Sequence, residues 1–151
     1  MIKFMRRSLL LGFLALQACG AAALAPEKPA VNVTGTWQGN TVTSCGKMLY
    51  EQGRCGAVER ITFTLFQDGA DVKGTYRCAF GTMVCRNMND SGRVVSSSVS
   101  GSLARLRVML PDGSSCMFDG HFKHESAAGN FLCYQGGGLL EQGRWKVARL
   151  Y

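Results

Sequence analysis

Proline is scarce, histidine scarcer, and no apolar run is long enough to cross a membrane as a helix. The 151 residues hold three prolines and two histidines. Pro26 and Pro29 share one short segment, so the strand-length runs after them are almost unbroken. His121 and His124 fall at no metal-type spacing from a cysteine, which argues against a zinc site. The leading apolar stretch, Leu9 to Leu16, has eight residues against the roughly 20 that a spanning helix needs. After it, no stretch shows a convincing 3.6-residue period, which argues against a helical domain. Of the seventeen Lys and Arg, three lie in the first seven residues, leaving fourteen against ten acidic residues. Those fourteen are scattered singly, with Arg105 and Arg107 the nearest to a cluster. No aromatic residues interleave with them, so the concentrated footprint that nucleic-acid binding needs is missing and no nucleic-acid partner is expected.

What is present begins with an export signal. Lys3, Arg6 and Arg7 precede the Leu9 to Leu16 stretch, which closes on Leu16-Gln17-Ala18-Cys19 with Gly20 behind. The four closing residues resemble a bacterial lipobox. The resemblance implies lipidation of Cys19, cleavage there, and attachment to a membrane through an N-terminal lipid. Gly20 in place of Asp after the cysteine is compatible with transfer to an outer membrane. Ordinary cleavage after Ala23, giving a secreted or soluble periplasmic protein, is the alternative. Either route takes the chain out of the cytoplasm. The expected layout is a signal at 1–19, an Ala/Pro tether at 20–33 and one domain at 34–151.

Six cysteines follow Cys19: Cys45, Cys55, Cys78, Cys85, Cys116 and Cys133. An even number in a small exported domain implies a disulfide framework. Sequence leaves the pairing open, but local geometry favours 45–55 and 78–85, each around a Gly-containing loop, and 116–133 across neighbouring strands.

The domain alternates apolar and polar residues in short runs between turn residues, the mark of half-buried strands. From Arg60 to Gln67, Ile61, Phe63 and Leu65 share one face; Asp68-Gly69 turns the chain, and Val72, Gly74, Tyr76 and Cys78 return. A second hairpin rises through Ala104, Leu106 and Val108, turns at Pro111-Asp112-Gly113, and returns through Cys116, Phe118 and Phe122. A third turn is expected at about Glu125 to Gly129, before Phe131 and Cys133, and a last strand holds Trp145 and Val147. Gly-x-aromatic recurs at Gly35–Trp37, Gly74–Tyr76, Gly120–Phe122, Gly129–Phe131 and Gly143–Trp145. A glycine two residues before an inward ring makes room where a strand bends to close a barrel. The pattern predicts an all-β domain, an up-and-down antiparallel barrel of about eight strands, with a two-sheet sandwich as the alternative.

These residues carry a resemblance. Gly35-Thr36-Trp37 on the first strand with Arg149 on the last looks like the lipocalin and avidin group of barrels, where such a tryptophan packs against an arginine from the barrel end. The run from Pro111 to Cys116, then Gly129-x3-Cys133 and Gly143-x-Trp145, looks like secreted lipocalin-like domains of bacteria. The resemblance implies a small ligand held inside the barrel. Trp145 is the only tryptophan besides Trp37, so biotin binding is not implied.

Catalytic constellations are scarce. Ser96-Ser97-Ser98 and Ser100 read as a polar strand, His121 should face outward, and His124 with Glu125 reads as a solvated turn pair. Gly136-Gly137-Gly138 precedes a strand and lacks the helix and lysine of a phosphate loop. No catalytic site, cofactor or metal is expected. Two functions remain. In the first, a small apolar ligand sits inside against Trp37, Phe63, Tyr76, Phe118, Phe122, Phe131 and Trp145. In the second, a barrel-end loop with Lys47, Met48, Leu49 and Tyr50 at its tip docks onto a protein partner, as an interaction or inhibitor module.

Overall fold

The computed structural model describes residues 27–44, 56, 58–79 and 90–151. They form eight antiparallel strands: β1 (Gly35–Thr43), β2 (Val58–Asp68), β3 (Asp71–Ala79), β4 (Asp90–Ser100), β5 (Leu103–Met109), β6 (Ser115–Phe122), β7 (Ser126–Gln135) and β8 (Gly138–Leu150). Each pairs with its neighbour in sequence, and β8 pairs back onto β1, so the sheet closes into an up-and-down barrel. Closure is what the alternation allows: most inward positions are apolar, and no edge is left exposed.

The glycine repeat has the expected cause. Trp145 stands in register with Gly129, and Gly129 with Gly120, so one indole covers two glycines on successive strands. A methyl group at Gly120 would sit 2.4 Å from the Trp145 ring, and one at Gly129 would sit 1.9 Å from the Asp119 carbonyl oxygen. Gly129 therefore lies inside β7, and the turn before it is at 123–125, where Lys123 N–H donates to Ser126 O at 2.7 Å. The turn expected at Glu125 to Gly129 is corrected: that glycine serves a close approach of strands, not a change of direction. Gly129→Ala should destabilise the barrel by about 1–3 kcal/mol, because backbone on the next strand must move. Gly138→Ala, whose nearest neighbour would be 3.6 Å away, should stay within about 0.5 kcal/mol in the same urea titration.

Gly136 and Gly137 have φ of +58° and +82°, the pattern of a two-residue type I′ turn between Gln135 and Gly138. The serine-rich run is strand β4, where Ser96 takes φ +47° at a bulge and Ser97 turns inward. There its hydroxyl accepts from Arg107 N–H at 2.8 Å and donates to Val95 O at 3.0 Å.

One barrel end is plugged. The segment before β1 lies against it, with Ala30 N–H donating to Gly101 O at 2.7 Å and Val33 fully buried. Arg149 closes this end: its guanidinium carbon lies 4.4 Å from the Trp37 ring centre, and its two amino groups donate to Thr34 O and Asn32 O at 2.8 and 2.6 Å. The opposite end carries the β1–β2, β3–β4, β5–β6 and β7–β8 connections and is called the mouth below.

Cys116 and Cys133 stand in register on β6 and β7 and form a disulfide, as the strand parity predicts. Cys78 is disulfide-bonded and buried. Cys45, Cys55 and Cys85, the expected lipidation site Cys19, and the expected loop tip Lys47, Met48, Leu49 and Tyr50 lie outside the described residues.

Candidate functional site

The interior divides into two layers. The lower layer is aromatic. Trp37, Phe63, Tyr76, Phe118, Phe122, Phe131 and Trp145 are all buried, and edge, tilted and stacked contacts join them into one cluster. Phe118 is its hub, with ring centres at 5.1 Å to Phe63, 5.5 Å to Tyr76, 5.6 Å to Phe131 and 6.2 Å to Trp145. Such pairs contribute about 0.5–1.5 kcal/mol each beyond the area they bury. Both indole N–H groups are satisfied, Trp37 by Val33 O at 2.8 Å and Trp145 by Asn130 O at 3.0 Å. These rings pack on one another from the plugged end, at Trp37 and Phe122, up through the middle of the barrel, at Phe63, Tyr76, Phe118 and Phe131.

Toward the mouth, β1, β2 and β8 carry polar inward side chains, while β3, β5, β6 and β7 keep Cys78, Val108, Cys116 and Cys133 there. Glu59 and Glu141 are 3% and 2% exposed, and Thr41 and Thr43 are equally buried. All four follow the inward parity: Thr41 and Thr43 continue the Trp37 face, Glu59 the Ile61 and Phe63 face, and Glu141 the Trp145 face. Thr41 stands in register with Glu59 on one side and Trp145 on the other. Thr43 hydroxyl donates to the Glu141 carboxylate. Burial first, then the negative charge of Glu59 and Glu141, hold the Tyr76 phenol well above its usual pKa. Tyr76 thus keeps its proton, with both carboxylates within electrostatic reach of its phenol. The Thr41 hydroxyl is buried, in register with Glu59, and makes no hydrogen bond among the described residues.

Buried carboxylates are costly unless hydrogen-bonded or paired; Glu141 accepts from Thr43, and both carboxylates make further interactions. Sequence reasoning passed over both. The signal was there, because Glu59 lies two residues before Ile61 and Glu141 four before Trp145, on the inward parity of each strand.

The other groups lie outside. His121 is exposed, its Nδ1 3.0 Å from the Ser102 hydroxyl, and His124 and Glu125 form an exposed 3.9 Å pair in the β6–β7 turn. Asp119 points outward and pairs with Arg105 at 2.9 Å. Among the described residues no three His, Cys, Asp or Glu side chains are grouped to hold a metal ion. No family model, curated protein or solved structure matches the chain. The architecture itself, a closed eight-stranded up-and-down barrel with an arginine stacked on the first-strand tryptophan, is compatible with a lipocalin-like barrel.

Proposed function

We propose that this chain is an exported, lipid-anchored, non-enzymatic binding protein of the lipocalin-like kind, which holds a small ligand at the mouth end of its barrel. The observation that carries the reading is the polar layer on the aromatic floor: Thr41, Thr43, Glu59, Glu141 and the protonated Tyr76, all inside the barrel. A packed core has no need of two carboxylates and a phenol, and small-molecule sites typically combine an apolar wall with a few convergent polar groups. The ligand that fits is amphipathic. Its apolar body rests on Phe63, Phe118 and Trp145, and a hydrogen-bond donor such as an amine or hydroxyl faces the acceptor-rich layer. The lipobox resemblance and the disulfides support an oxidising compartment outside the cytoplasm.

A native mass spectrum of the full chain, isolated from the producing cell, tests both halves. An extra mass that leaves on denaturation, and whose occupancy drops at least severalfold in Glu141→Gln, supports the ligand reading. A mass that stays on denaturation and disappears in Cys19→Ala identifies the anchor. A bare barrel overturns ligand binding and favours the second reading, docking through the mouth. A rim of exposed apolar side chains supports that reading: Val42 beside Val58, and Tyr134 beside Leu139, with Leu132 nearby.

A further inference from the structure

Arg60, Arg77, Arg93 and Arg107 are scattered through the sequence, yet the barrel lines them up. They lie on β2, β3, β4 and β5, four successive strands, all exposed on the outer wall. Thr62 pairs with Arg77, so Arg60 is one diagonal step from Arg77. Thr75 pairs with Arg93, which sets Arg77 and Arg93 on the next diagonal. Val95 pairs with Arg107, giving the third. Diagonal neighbours in a sheet are roughly 7–8 Å apart, so the four guanidiniums form a line of about 20–25 Å just below the mouth.

None of the four takes part in an ion pair among the described residues. The rungs they occupy carry no described acidic side chain: Asn40–Arg60–Ala79, Gln38–Thr62–Arg77–Ser91, Thr36–Thr64–Thr75–Arg93–Met109 and Val95–Arg107–Met117–Leu132. The nearby Asp119 is held by Arg105. Arg77 and Arg93 also line an outer groove of about 920 Å³ whose other walls include Thr62, Thr64, Thr75 and Ser91. Unpaired guanidiniums beside a bank of hydroxyls form a surface for anionic groups and for the hydroxyls that accompany them.

We infer that this arc binds a flexible acidic polysaccharide, its anionic groups on the four arginines and its sugar hydroxyls on the threonine rows. Curvature selects the partner. The four strands cover three of the eight steps round a closed barrel, so the first and last arginines point in widely different directions. A flat anionic membrane or a stiff duplex reaches only part of such a line, whereas a flexible chain follows it. Among the described residues the groove has no aromatic wall on which bases could stack, which disfavours single-stranded nucleic acid. The segment before β1 also lies at the opposite end of the barrel, away from the arc.

The test uses the full chain and immobilised dextran sulfate, with uncharged dextran as the blank. Binding should weaken by about 50-fold between 50 and 200 mM salt if four cations each release roughly 0.7 counterion. Arg77→Gln with Arg93→Gln should cost at least about tenfold in affinity and halve the salt slope. Arg144→Gln with Lys146→Gln, the same charge change on the outer face of β8, should leave affinity within about twofold. Melting curves confirm that both double variants fold. Equal loss in the two doubles would reduce the effect to net charge and overturn the arc. So would absence of binding to dextran sulfate, or preference for phosphatidylglycerol vesicles over it, the latter in favour of a membrane surface.

Discussion

Phe118→Ala should cost about 3–5 kcal/mol of stability, the largest loss expected from a single substitution in this barrel. Its ring touches four other rings, so truncation removes the hub of the aromatic cluster and leaves a cavity that strands pinned on both sides cannot close. Phe66→Ala supplies the comparison. That side chain is on the outer face and 58% exposed, so its loss should stay within about 0.5 kcal/mol. Equilibrium urea unfolding of the two variants reads the difference directly. A loss at Phe118 below about 2 kcal/mol would mean that the aromatic floor is loosely packed, and would return the lower layer to consideration as ligand space.

The second large effect belongs to the Cys116–Cys133 bridge. It spans 17 residues, and closing a loop of that length stabilises by about 3 kcal/mol in the chain-entropy model. The paired variant Cys116→Ala with Cys133→Ala should therefore melt roughly 10–15 °C below the parent. Mutation is the cleaner probe, since a reductant would also open the bridge that holds Cys78. The paired variant should still lose stability when reductant is added, because that second bridge remains. A variant that melts with the parent would show that the β6–β7 register alone, held by Phe118 on Phe131 and by Trp145 over Gly129, supplies the stability assigned to the bond.

Much of this barrel was legible beforehand. A period of two is a local property, so Ile61, Phe63 and Leu65 on one face, the Asp68-Gly69 turn and the inward set from Trp37 to Trp145 could be read from residue order. The pairing of Cys116 with Cys133 followed from the same parity once a hairpin joined their strands. Gly129 was harder. Glycine marks turns and close approaches alike, and only the position of the Asp119 carbonyl tells which applies. Glu59 and Glu141 sat on readable inward positions, but polar residues near strand ends usually face solvent, so parity alone did not single them out.

By itself, then, the sequence determined the class of fold, the inward face of most strands though not of bulged β4, the hairpin order and one disulfide, because all of these depend on contacts between residues close along the chain. Only the tertiary structure decided what closure brings together. The pairing of β8 with β1 places Glu141 beside Thr43, and it seats Arg149 on Trp37, a pair that the family resemblance implied but no local pattern did. The stagger between strands turns four isolated arginines into one line. Register between distant strands is set by how every pair of faces packs at once, and no local pattern carries that information.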